Sequence, residues 1–158
     1  MSFCRIASRA GISAIGAIAF AAAAWSAPVD ITTGSTTNLG QHLTQSNGKT
    51  LYLFTADSKG KSTCESACAK AWPPVLTTEK PSAGAGVNAS LLGTMKRGNQ
   101  EQVTYDGMPL YRFVKDKTAG AAKGEGITHF GGTWYVVAPD GKAILPDGKQ
   151  KAVGAATG

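Results

Sequence analysis

The sequence predicts a mainly β fold, two tandem β-hairpin-containing repeats in one small domain, with one short α-helix. Three observations carry that expectation. Residues 47–57 and 106–116 superpose at a constant offset of 59, with Gly, Leu, Tyr, Phe and Asp identical and Asn47 matched by Asp106. Five identities in eleven positions at one offset are the mark of an internal duplication. Both copies open on Asn-Gly or Asp-Gly, the dipeptides that suit a two-residue hairpin turn whose twist matches its strands. The chain also carries 20 glycines and no long amphipathic stretch, as expected of short strands joined by tight turns.

Taken in chain order, residues 1–26 read as a signal peptide. Arg5 and Arg9 precede an apolar or small-residue run from Gly11 to Ala24, too short for a membrane span, and no acid appears before Asp30. Ala24-Trp25-Ser26 places small residues where a signal peptidase needs them, so cleavage is expected after Ser26. Cys4 lies ahead of the apolar run rather than just after it, which argues against a lipid anchor. Removal of this segment takes two arginines and no acid, lowering the formal charge from +6 to +4. The remaining basic residues are scattered, with Lys96-Arg97 and Lys115/Lys117 the nearest approach to clusters. No focused stripe for nucleic acid results.

Residues 27–38, rich in Thr, Ser and Gly, read as a flexible lead-in, and 146–158 as a flexible tail. Between them, 39–145 form the two-repeat domain, with repeat 1 at about 39–76, repeat 2 at about 87–141, and a loop over 77–86. Each hairpin pairs an extended run (41–45 or 102–105) with the Leu-Tyr-x-Phe strand that follows the turn. Alternation puts Tyr52 with Phe54, and Tyr111 with Phe113, on one face, expected to be buried between the repeats. Pro109, lacking an N–H, should turn that point away from a paired neighbour. Further strands are expected at 91–97, 133–138 and 143–145, with a turn at 139–141. Ser62 and Glu65 form a capping-box pattern that predicts a short helix ending before Pro73 and carrying Cys64 and Cys68.

Once the signal segment leaves, Cys64 and Cys68 are the only cysteines, in a compartment that permits oxidation. A structural disulfide is the leading reading. A reducible pair, or a Cu(I) site completed by His129, is the alternative. His42 and His129 otherwise read as exposed polar residues. Asp57 and Asp116 stand where a strand meets a turn and are expected to form Asx turns, rather than paired acids or a Ca²⁺ site. Tyr52, Phe54, Trp72, Tyr111, Phe113 and Trp134 are expected in the core of the sheet. No catalytic residues, cofactor-binding residues or nucleophile motif emerge, and no cofactor is expected outside the copper alternative.

The recurring Tyr-x-Phe-x-x-Asp (Tyr52/Phe54/Asp57 and Tyr111/Phe113/Asp116), the Cys64/Cys68 pair and Trp72-Pro73-Pro74 together resemble a family of bacterial secreted-repeat proteins. That family includes predicted lipoproteins with a Yx(F/W/Y)xxD motif. The resemblance spans about Leu39 to Gly141 and implies a repeated, exported protein; it brings no established activity with it. This chain departs from the lipoprotein members in having no lipid-attachment cysteine at the end of the signal. The function expected is an exported, non-enzymatic module, periplasmic or secreted, that binds an unidentified envelope or extracellular partner. The alternative is redox or copper handling through Cys64 and Cys68.

Overall fold

A computed structural model describes residues 28–154; the signal segment read at 1–26 lies outside the described residues. The strands are β1 (Asp30–Thr36), β2 (Gly40–Gln45), β3 (Tyr52–Phe54), β4 (Leu76–Thr77), β5 (Ser82–Ala83), β6 (Leu92–Arg97), β7 (Gln100–Tyr105), β8 (Met108–Pro109), β9 (Thr128–His129), β10 (Gly132–Val137), β11 (Ala143–Ile144) and β12 (Gln150–Lys151). One helix, α1 (Ala67–Ala71), precedes β4. The strands form sheets ordered β2-β1-β5, β12-β11-β10-β3 and β4-β7-β6, with β9 added to β10 and β8 to β7.

The duplication is visible in the pairing. Hairpin β1–β2 closes at Thr36 opposite Gly40, and hairpin β6–β7 closes at Arg97 opposite Gln100. Each is followed by its Leu-Tyr-x-Phe segment. The two segments meet at Tyr52 and Tyr111, whose N–H and C=O groups bond reciprocally at 2.9 Å in both directions. The outer edges are then taken by the segments that follow each Trp, in crossed fashion. Thr55 N–H donates to Thr133 O and Val137 N–H to Leu51 O, while Val114 N–H donates to Ala71 O and Val75 N–H to Leu110 O. The Trp segment of each copy therefore pairs with the Tyr-x-Phe segment of the other, around a local pseudo-twofold axis at Tyr52 and Tyr111.

Alternation along these segments separates two cores. Tyr52, Phe54, Trp72, Tyr111, Phe113 and Trp134 form an aromatic core with both cysteines, as the side-chain period predicts. Leu51, Leu53, Leu110, Ile31, Leu43, Val75, Val103 and Tyr105 form an aliphatic core on the opposite side. The far face of the second copy is less covered, with Arg112 half-buried and Val114 exposed.

Several expectations are corrected. Within the lead-in read over 27–38 stands β1, because its Thr-rich run is strand-forming. Ile31 is fully buried, and Gly34 lets the strand approach Thr44 so closely that a Cβ would stand 2.9 Å from its methyl group. Each copy opens on a hairpin, β1–β2 in the first and β6–β7 in the second. The loop read over 77–86 contains β5, which adds to β1 in parallel, and the tail read over 146–158 contains β12, paired with β11. Asp106 and Gly107 both have positive φ, as the two-residue turn requires. At Asn47-Gly48 only Gly48 does, because Gln45 N–H bonds Lys49 O across a three-residue loop. Pro109 stands opposite Thr104, and the next N–H, of Leu110, bonds Val103 O.

The Ser62–Glu65 capping box does not form. Helix α1 starts at Ala67, and Ser66 before it makes no side-chain cap bond, while Ser62 Oγ is held by Tyr111 and Arg97. Cys68 is in the helix and Cys64 just before it.

Since β1 builds the aliphatic core, Ile31→Ala should lower unfolding stability by about 3 kcal/mol, the usual cost of emptying a buried isoleucine site. Urea denaturation measures this; an unchanged midpoint would return residues 27–38 to the status of a loose leader.

Candidate functional site

The repeated polar residues are built inward. Tyr111 hydroxyl donates to Asp57 Oδ2 at 2.6 Å, and Tyr52 hydroxyl donates to Asp116 Oδ2 at 2.5 Å. Each tyrosine thus serves the aspartate of the other copy. The second oxygens are also taken: Asp57 Oδ1 accepts Thr63 N–H (2.7 Å) and Thr63 Oγ1 (2.9 Å), and Asp116 Oδ1 accepts Lys123 N–H (2.8 Å). These bonds reach six or seven residues along the chain, so the expected Asx turns are not what the aspartates make. Burial holds the Asp57 carboxyl above its usual range, against the opposing pull of Tyr111 and Thr63. Both tyrosine hydroxyls are pushed strongly upward, by burial first and then by the aspartate each one faces.

Between the pairs runs a column of four rings in the order Phe54, Trp134, Trp72, Phe113. Successive centroids are 4.1, 4.0 and 4.2 Å apart. Tyr52 meets Trp72 edge-on at 5.3 Å, and Tyr111 meets Trp134 edge-on at 5.1 Å. Gly124 is required beside this column, since a Cβ there would stand 2.6 Å from Trp72. All six aromatic rings are buried, so they present no open face to a ligand.

Cys64 and Cys68 are joined in a disulfide with Cα atoms 5.2 Å apart, and both are buried in the aromatic core. His129 lies exposed on β9 against Phe130. Among the described residues no group of three or more His, Cys, Asp or Glu is placed to hold a metal ion, so Cys64, Cys68 and His129 are not brought together as ligands. His42, expected at the surface, is fully buried. Its Nδ1 lies 3.0 Å from Gly40 O, and its Nε2 has no partner.

The surface has three concavities of interest. One, of about 230 Å³, is lined by Lys49, Arg112, Lys117, Pro73, Val114 and the inward-facing Asp116. Lys49 is fixed there by the carbonyls of Asp116 (2.6 Å) and Lys117 (2.9 Å), and Arg112 Nε is buried without a partner. A second, of about 290 Å³, lies over His42 and is walled by threonines and serines of β1 and β2. The third and largest, about 440 Å³, lies between the β1–β2 turn and the 120–125 segment and contains Glu125.

Sequence reading passed over Glu125 because nothing in Gly-Glu-Gly between two repeat elements signals burial. Its Oε2 accepts Val136 N–H at 2.6 Å, while Oε1 is buried without a partner. In the other copy the Val136 position is Pro74, which has no N–H to satisfy, and only this contrast hints that the second copy needs an acceptor. Burial pushes the Glu125 carboxyl up to about 7, with the Val136 bond opposing.

A family model described as a secreted repeat of unknown function matches two stretches of the chain, residues 33–76 and 93–138, which together cover more than half of it. Each match opens inside the first hairpin of a copy and closes just past its Trp segment. No curated protein and no solved structure matches the chain.

An acid whose folded pKa lies above its ordinary value of 4.5 favours the fold while protonated. Its contribution is complete below about 4.5 and is lost as the pH rises to about 7. Glu125→Gln keeps an acceptor for Val136 but cannot ionise. Its stability relative to the unmodified protein should rise across that interval and level off above it. Unfolding free energies of the two proteins at matched pH values check this, and a difference flat with pH would contradict it.

Proposed function

We propose that this chain, which belongs to the family of secreted repeats of unknown function, is an exported non-enzymatic module that holds an acidic partner in the envelope or outside the cell. The observation that carries this reading is the cleft of Lys49, Arg112 and Lys117. The ion pairs among the described residues are Lys59–Asp106, Lys142–Asp140 and Lys149–Asp147, so none neutralises the three cations of the cleft. The one acid in its wall, Asp116, has both oxygens engaged by Tyr52 and Lys123.

A fixed cleft with unpaired cations suits a carboxylate or phosphate group. The guanidinium of Arg112 offers a fork of donors, and the ammonium groups add charge. Exposed Val114 and half-buried Pro73 supply an apolar rim on which the partner's neighbouring groups could pack. The repeated Tyr, Asp and Trp residues contribute indirectly, because their mutual bonding keeps the extended segment bearing Arg112 in place. With those side chains consumed in the core, they are not free to work on a substrate. Among the described residues no helix is long and apolar enough to cross a membrane.

Poly-L-glutamate is a suitable probe. It should bind with an affinity that falls as salt is added, and the Arg112→Ala/Lys117→Ala double variant should bind about tenfold more weakly. Lys149→Ala/Lys151→Ala, which removes the same charge near β12, should change affinity little. Equal losses in the two double variants, measured by calorimetric titration, would mean that net charge alone attracts the polyanion and would sink the cleft.

A further inference from the structure

The two copies differ at one place where the difference leaves a hole. In the pairing of the first hairpins, Thr36 stands opposite Gly40 as Arg97 stands opposite Gln100, so Thr36 occupies the position of Arg97. By the same register His42 occupies the position of Gln102. Thr63 and Lys123 supply equivalent N–H groups to the two aspartates, which matches Ser62 with Ala122.

In the half that has the arginine, its guanidinium fills the space. It donates to Ser62 Oγ at 2.8 Å, to Gln102 Oε1 at 2.8 Å and to the carbonyl of Cys64. Ser62 in turn contacts the Tyr111 hydroxyl at 2.6 Å. In the other half a threonine and an alanine stand in place of the arginine and the serine. The 440 Å³ cleft lies there, with Thr36, Ala122 and Glu125 in its wall.

The atoms left over in that half can each accept a hydrogen bond. Thr36 Oγ1, His42 Nε2 and Glu125 Oε1 are all buried without a partner. Glu125 Oε1 is a carboxyl oxygen. His42 Nδ1 faces the carbonyl of Gly40, which only accepts; with a proton directed there, the neutral form of the ring leaves Nε2 as an acceptor. The cleft wall holds no lysine or arginine, and its one ionisable side chain is the acid. Gly120 lines both this cleft and the one over His42. Buried acceptors without donors are costly and uncommon in folded proteins.

We propose that the cleft between Thr36 and Glu125 is a binding site for a guanidinium group, supplied from outside the chain where the other copy supplies Arg97 from within. Leu39 and Pro146 line the same cleft and offer apolar surface to the stem that carries the group. The site is separate from the Lys49–Arg112–Lys117 cleft and does not depend on what binds there.

Methylguanidinium and its neutral isostere N-methylurea are the probes, followed by NMR on the intact mature protein. Methylguanidinium should bind saturably and shift the amides of residues 36–39 and 122–125, and N-methylurea should not. Above pH 7, where Glu125 is ionised, Glu125→Gln should weaken binding about tenfold, the effect of losing one charge-assisted hydrogen bond. Thr36→Arg, which rebuilds the arrangement of the other copy, should abolish binding and raise the melting temperature. Should that variant not fold, Glu125→Gln still decides the matter. Tighter binding of an acetyl-Gly-Arg-Gly-amide peptide than of free L-arginine would support a protein side chain as the source of the group, and the reverse order a small guanidino compound. Equal response to methylurea, or full affinity in Glu125→Gln, would overturn the proposal.

Discussion

Two buried hydrogen bonds, each from a tyrosine of one copy to an aspartate of the other, set the conditions for the rest of this structure. A carboxylate removed from water is unfavourable unless its oxygens are met by donors. Asp57 obtains two donors from Thr63 of its own loop and Asp116 one from Lys123, and each obtains one more from the opposite copy. Neither copy can bury its aspartate satisfactorily without the other. A hydrogen bond to a charged group contributes roughly 1.5–3 kcal/mol, a large share of the stability of a small domain. The reciprocal backbone bonds at Tyr52 and Tyr111 bring the two hydroxyls within reach, so strand pairing and side-chain pairing enforce one register.

The aromatic column follows from the same crossing. Because each Trp segment pairs with the Tyr-x-Phe segment of the other copy, Trp134 stacks on Phe54 and Trp72 on Phe113, and the two indoles close the column between them. The disulfide ties Cys64 to helix α1 at the edge of this core, in a stretch with no cysteine counterpart in the second copy. There the chain takes three more residues to reach its Trp, and it depends on Gly124 and Glu125 to pass the indole and to satisfy Val136. Departures from the symmetry therefore gather in these two connecting stretches and at the hairpin ends. The open clefts lie in the same regions.

Much of this was legible in the sequence, and the limits have physical causes. The constant offset of Tyr, Phe and Asp and the following Trp revealed the duplication, and strand alternation identified the buried aromatic face. Which tyrosine meets which aspartate was not readable, since identical motifs permit pairing within a copy as well as between copies and only the crossed topology excludes the first. Thr and Ser give residues 27–38 the composition of a loop, yet one buried isoleucine and a run of β-branched residues suffice for a strand flanked on both sides. Ser62 has the local chemistry of a helix cap, but a tyrosine and an arginine distant in sequence compete for its hydroxyl and prevail. His42 alternates with Leu43 in an ordinary strand pattern, and its burial depends on how β1 covers it. The clefts around Arg112 and Glu125 are differences between copies and become visible only when the copies are superposed in space.

The central claim is that the copies are joined by exchange of partners, and a double-mutant cycle tests it most directly. Tyr52→Phe is combined with Asp116→Asn in one cycle and with Asp57→Asn in another, with stability read from urea unfolding. Exchange predicts a coupling of about 1.5–3 kcal/mol between Tyr52 and Asp116, and additivity within about 0.5 kcal/mol between Tyr52 and Asp57. Coupling confined to Tyr52 and Asp57, the pair within one copy, would contradict the crossed arrangement and the account built on it.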